Sequence, residues 1–168
     1  TKWGSSGSGD GKFVWMEGSP ADAGIAVDSG GNVYVVDPGN YRIQKFSSNG
    51  EFITKWGSYG SGDGKFYWAQ GITVDMEGSV YVTDIGIGDN KYSIQKFNSD
   101  GAFITKWGRP GSGDGQFSSP TGIAVDGSGN IYVADLVNNR IQKLTPNGQF
   151  SIKWGSDGSG NGEFSGPY

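Results

Sequence analysis

Short runs rich in β-branched and aromatic residues alternate along this chain with polar, glycine-rich stretches. No segment holds a helical periodicity for a useful length. Residues 105–150 carry the clearest example. Gly122–Asp126 is a short apolar run bounded by turn residues, the pattern of a buried strand. A tight turn over Gly127–Asn130 leads to Ile131–Asp135, which is β-branched and aromatic. The polar link Val137–Arg140 leads to Ile141–Leu144, and Pro146–Gly148 turns the chain into Phe150–Trp154. Asn-Gly between two strand-like runs is a strong hairpin signal, because both residues tolerate positive φ. Asn49–Gly50 and Asp100–Gly101 stand at the same place in two earlier copies. The pattern predicts a four-stranded antiparallel unit in an all-β chain.

The unit recurs. A GIAVD-like core aligns at Gly24–Asp28, Gly71–Asp75 and Gly122–Asp126, and a KWG core aligns at Trp3, Trp56, Trp107 and Trp154, spaced by roughly 50 residues. A four-stranded unit at this period is the signature of a β-propeller blade, whose small sheet must stack on its neighbours around an axis. The expected division is 1–20 as an outer strand and loop leading into the first blade, 21–57 as blade 1, 70–108 as blade 2, 121–155 as blade 3, and 156–168 as the start of a further repeat. Three blades do not close a ring, and two terminal blades standing alone expose more apolar surface than a soluble monomer usually carries. The expectation is therefore half of a six-bladed ring, closed by a second copy as a homodimer. A longer array and head-to-tail addition into a filament are the alternatives.

The stretches GIAVDSGGNVYVVDPGNYRIQKF over 24–46 and GIAVDGSGNIYVADLVNNRIQKL over 122–144 resemble the NHL repeat. The middle copy, GITVDMEGSVYVTDIGIGDNKYSIQKF over 71–97, departs from it, with Ser93 where the others have Arg42 and Arg140. The resemblance covers nearly the whole chain. It implies a propeller, commonly of six blades, with the GIAVD strand innermost.

Composition narrows the chemistry. The 168 residues include 32 Gly, placed as punctuation between strand-like runs, and neither Cys nor His. Disulfides and thiolate chemistry are excluded, and the commonest general base and metal ligand are missing together. A Ser nucleophile would have no His partner. Some NHL-like propellers are lyases that use a His-bound metal on the axis, and that chemistry does not carry over. No cofactor is expected. A net charge of −4 disfavours a nucleic-acid partner. No apolar run reaches the roughly 20 residues of a membrane helix, so no membrane partner is expected.

Several repeated residues read as structural. Asp10, Asp63 and Asp114 sit in GSGDG loops and are thin calcium candidates, since one carboxylate per loop falls far short of a full oxygen shell. The favoured reading is an Asp-Gly turn leading into an anchoring Phe. Asp37, Asp84 and Asp135 end the second strands and are expected to bond nearby backbone or pair with Arg42 and Arg140. The KWG tryptophans are expected between blades, and Lys45, Lys96 and Lys143 on solvated outer faces.

The repeat is broken twice, by six extra residues within Val14–Ala23 and four within Ile85–Tyr92. In an up-and-down blade both insertions emerge at one end. Insertions on a rigid scaffold are where binding usually lives. The candidate ligand residues are Trp15, Met16, Tyr67, Trp68, Ile87, Lys91, Tyr92 and Leu136. The function expected is a non-enzymatic scaffold or binding module for a protein or glycan. The competing expectation is a purely structural self-assembling subunit.

Overall fold

The computed structural model describes residues 2–14, 23–86 and 92–168. A short parallel pair, β1 (Ser5–Ser6) and β2 (Lys12–Phe13), precedes three four-stranded antiparallel sheets. Blade 1 holds β3 (Ile25–Val27), β4 (Val33–Asp37), β5 (Arg42–Phe46) and β6 (Phe52–Trp56). Blade 2 holds β7 (Ala69–Val74), β8 (Val80–Asp84), β9 (Ser93–Phe97) and β10 (Phe103–Trp107). Blade 3 holds β11 (Pro120–Val125), β12 (Ile131–Asp135), β13 (Arg140–Leu144) and β14 (Phe150–Trp154). Strand order follows chain order in every sheet. The first strands lie side by side: Gly24 N donates to Gln70 O at 2.9 Å, and a Cβ on Gly71 would stand 2.2 Å from Thr121 O. These are the innermost strands of propeller blades. β7 and β11 begin at Ala69 and Pro120, earlier than the apolar pattern suggests, with a register shift before Ile72 and Ile123.

The outer hairpins are not the mirror-image turns that Asn-Gly allows. Only the glycines take positive φ, at 84° for Gly50, 86° for Gly101 and 75° for Gly148. Gly50 N donates to Ser47 O at 2.9 Å, and the strand register slips between Lys45 and Phe46. Each is thus a turn closed by a glycine bulge. The absent side chain has a second use. A Cβ on Gly101 would meet Trp56 at 2.4 Å, one on Gly148 would meet Trp107 at 2.1 Å, and one on Gly50 would meet Trp3 at 2.5 Å. Trp3, Trp56 and Trp107 therefore each plug the outer turn of the blade that follows, as expected of residues between blades. Trp56 also closes an apolar layer of Tyr34, Val36 and Ile43 from blade 1 against Ile72, Val82 and Phe97 from blade 2. Its indole nitrogen is buried with no acceptor among the described residues, a cost the packing must exceed.

In blades 1 and 3 a polar clamp fixes the segment that enters the blade. Arg42 Nε donates to Asp37 Oδ2 at 2.8 Å, and the rest of its guanidinium donates to Ser8 O, Gly9 O and Lys12 O at 2.8–2.9 Å. Gln44 Nε2 adds bonds to Lys12 O and Asp37. Blade 3 repeats this with Asp135, Arg140 and Gln142 on the carbonyls of Ser112, Gly113 and Gln116. The expected pairing of Asp37 and Asp135 with arginine is met, and both carboxylates are fully buried.

The reading of Lys45, Lys96 and Lys143 as solvated outer positions is corrected. Lys45 is buried and the other two are partly covered. Their Nζ atoms lie over the rings of Tyr34, Tyr81 and Tyr132 at 5.1, 4.8 and 5.1 Å. Those tyrosines donate their hydroxyls to Asp28, Asp75 and Asp126 at 2.9–3.0 Å. A lysine stem can lie along a ring while the ammonium keeps both ring face and carboxylate in reach.

Two substitutions test these devices. Gly101→Ala places a methyl group on the Trp56 ring at a backbone angle that disfavours it, and should lower unfolding free energy by about 2–3 kcal/mol. Arg140→Ala leaves Asp135 buried without its cation and should cost about 3–5 kcal/mol. Urea denaturation with an unchanged m-value measures both.

Candidate functional site

Because the strands alternate in direction, the turns between second and third strands share one end of the blades with the links that enter β7 and β11. Backbone bonds lock links to turns. Gly39 N donates to Val14 O, Ile85 N to Trp68 O, and Leu136 N to Ser119 O, at 3.0–3.2 Å. The buried carboxylates accept from the same links: Val14 N to Asp37 at 3.1 Å, Trp68 N to Asp84 at 2.8 Å, and Ser118 N to Asp135 at 2.7 Å. These bonds tie the described links to the turns at this end.

On it, between blades 2 and 3, lies a cleft of about 300 Å³ lined by Trp68, Gln70, Ile85, Ser119, Thr121 and Leu136. Gln70 and Thr121 also line a second hollow of about 370 Å³ that follows the inner strands past Gly24, Gly71 and Gly122. The walls are apolar, with hydroxyl and amide groups toward the inner strands, a combination suited to holding and orienting a ligand.

The structure brings together two of the sequence-derived candidates, Trp68 and Leu136, each half-buried on the cleft. Trp68 is thus not hidden under its own blade. Tyr67 does not line the cleft and packs with its ring 5.9 Å from Tyr59, which in turn lies 5.0 Å from Tyr41. Tyr92 packs against the cluster of Ile94, Phe117 and Val133 between blades 2 and 3. Trp15, Met16, Ile87 and Lys91 lie outside the described residues. Asp10, Asp63 and Asp114 each meet a lysine, Lys55, Lys106 and Lys153, at 2.5–2.7 Å. Among the described residues no acidic group is arranged to hold a metal ion. Phe66 and Phe117, which follow two of those loops, are fully buried anchors. Sequence reasoning passed over Gln70 and Thr121. Their one signal is positional, since each directly precedes the glycine that opens the inner apolar run.

Asp84 sets blade 2 apart. Ser93 replaces the arginine, and among the described residues Asp84 accepts only from Tyr67 N and Trp68 N, at 3.1 and 2.8 Å. Burial pushes its carboxyl up to about 6, against the pull of those two backbone bonds. Asp126 shows the opposite balance. Hydrogen bonds led by Asn130 hold it down at about 2.

A sequence profile described as the NHL repeat matches residues 23–46 and 117–144. NHL repeat-containing protein 3 of Mus musculus is 34% identical over 128 residues, covering 70% of this chain and 36% of that protein. Peptidyl-glycine alpha-amidating monooxygenase of Mus musculus is 33% identical over 129 residues, covering 70% of this chain and 13% of that protein. Among solved structures, a streptogramin B lyase superposes with a TM-score of 0.58 at 24% identity, over 76% of this chain and 38% of that one. This last likeness is one of fold. The chain spans little more than a third of the first relative and far less of the second.

The two shifted carboxylates predict a pH profile. Folded Asp84 holds its proton more tightly than the ordinary 3.8, so its stabilising contribution is full below about pH 4 and is lost as pH rises through about 6. Asp126 acts in a separate window, losing its contribution as pH falls from 3.8 toward about 2. Between pH 4.5 and 7.5 the Asp84 contribution should fall by roughly 2 kcal/mol. Asp84→Asn should flatten that slope in urea melts across the range.

Proposed function

Since the chain belongs to the NHL-repeat family, we propose that it is a non-enzymatic binding module that takes a protein or glycan ligand on the end where both insertions emerge. The observation that carries this reading is the cleft on which half-buried Trp68 faces Leu136 and Ile85 above the polar Gln70 and Thr121. Indole beside aliphatic side chains offers a large apolar contact at small conformational cost, and the few polar groups supply orientation. The hydrogen bonds joining links to turns hold the surface in place before any ligand arrives, which lowers the ordering cost of binding.

Amidation and streptogramin lysis are activities in the names of the relatives. For this chain a binding role is favoured because Ser119 and Thr121 have no imidazole anywhere in the sequence to activate them. The carboxylates nearest this end are already committed: Asp37 and Asp135 to arginine, Asp84 to backbone N–H groups.

Peptide and glycan arrays, followed by titration of the strongest hits, test the proposal. Trp68→Ala and Leu136→Ala should each weaken a genuine ligand by roughly tenfold or more. Affinity untouched by both changes would remove the site from this cleft. Conversion of a bound hit to product, seen by mass spectrometry, would overturn the non-enzymatic reading.

A further inference from the structure

The cleft between blades 2 and 3 is lined by three pairs of matching repeat positions: Trp68 with Ser119, Gln70 with Thr121, and Ile85 with Leu136. The residues that frame them are the same in both copies. Phe66 and Phe117 stand before them, Gly71 and Gly122 follow, and Asp84 and Asp135 end the second strands. At the lining positions the copies differ, and blade 2 carries the larger side chain in the first two pairs.

Gln70 is the member of this set that packing does not explain. It is only 8% exposed, yet its carboxamide forms no hydrogen bond among the described residues. The main-chain groups around it are already used. Gln70 O accepts from Gly24 N at 2.9 Å, Gly71 N donates to Thr83 Oγ1 at 2.9 Å, and that hydroxyl donates to Thr121 O at 2.6 Å. Thr121 Oγ1 donates to Pro167 O at 3.1 Å, while Trp68 O and Ser119 O accept from Ile85 N and Leu136 N. A nearly buried amide without partners is costly to keep. Gln70 lines the cleft, where a ligand can supply them.

The lining also limits what fits. None of its six residues is charged, and Asp84 and Asp135 are buried. A formal charge brought into the cleft would lose its water and gain no counter-charge. A sugar carries hydroxyls around its ring, and those set against Trp68, Ile85 and Leu136 would go unpaired. An extended peptide makes a smaller demand. Each residue of such a chain turns its own N–H and C=O to the same side, as in a sheet ladder. A carboxamide carries an acceptor and two donors in one plane, so it can meet that pair at once.

We propose that Gln70 is the specificity-determining residue of the cleft and that the occupant is an uncharged, extended peptide segment. One residue of the segment pairs its N–H and C=O with the Gln70 carboxamide, and an apolar side chain beside it packs on Trp68 and Leu136. The inference rests on the cleft being the binding site, and it chooses the peptide over the glycan.

The probe is an acetylated, amidated tripeptide with leucine between two glycines, titrated at millimolar concentration into the isotope-labelled full chain. The expected result is a saturable shift of the Gln70 side-chain amide resonances, which are identified by their loss in Gln70→Met. Methylating the leucine nitrogen, or replacing that leucine with aspartate or lysine, should weaken binding at least tenfold. Gln70→Met has a similar volume and should weaken binding equally, while the urea midpoint stays unchanged or rises. A clear fall in that midpoint would mark the amide as a structural group and overturn the proposal. The methylated peptide puts the same question to the unaltered protein. No saturable shift, or binding indifferent to methylation and to Gln70→Met, also overturns it. A glycan or charged peptide whose binding Trp68→Ala abolishes would keep the cleft as the site and overturn only this choice of ligand. Absence of any ligand sensitive to Trp68→Ala would overturn the reading of the cleft and this inference together.

Discussion

Each blade turns on a buried carboxylate at the end of its second strand. Asp37 and Asp135 are inaccessible to water, and a charge in that position is tolerable only when paired and fully hydrogen-bonded. The arginine that pairs with each is itself satisfied only by three carbonyls of the preceding link. Sheet, turn and link are therefore not separable parts: none of them has its polar groups met without the other two. Local strand propensity, which would make a weak four-stranded sheet on its own, becomes a cooperative unit through this requirement.

Blade 2 shows what happens when the requirement is relaxed. With Ser93 in the arginine position, Asp84 keeps its backbone donors and is forced toward the protonated form. The blade retains its four strands because Gln95 still holds Gly64 N and Lys65 O, and because Phe66 and Phe97 pack as their counterparts do. This blade also supplies Trp68, Gln70 and Ile85 to the cleft. The least conventional polar core thus stands under the candidate binding surface, a common place for a sequence to depart from its own repeat.

The architecture was legible because identical local signals recur in every copy. Alternating β-branched and aromatic runs, Asn-Gly or Asp-Gly turns and the strand-ending Asp repeat in all three copies, with the Arg in two of them, and each has one physical meaning wherever it falls. The details that escaped depend on neighbours in space. Lysine at positions 45, 96 and 143 alternates outward like a solvated residue, and nothing local reveals that a tyrosine ring lies beneath it. The turn type escaped because Asn-Gly permits two geometries, and the packing of the tryptophan against the turn glycine is not visible locally. Of the candidate site, Trp68 and Leu136 were readable as apolar residues breaking the repeat. Gln70 and Thr121 were not, since small polar residues acquire meaning there only when inner strands of different blades meet.

The plug-and-turn arrangement has a direction. Trp3 fills the turn at Gly50, Trp56 the turn at Gly101, and Trp107 the turn at Gly148, so every filler lies upstream of the blade it completes. A chain made from its amino terminus therefore exposes each filler before the corresponding turn has been synthesised. As a blade leaves the ribosome, the piece it needs is already waiting, and it can close without residues still to be translated. Nascent intermediates would carry one open face at the growing end, whatever the number of blades completed, which limits the sticky surface presented during synthesis to a constant amount.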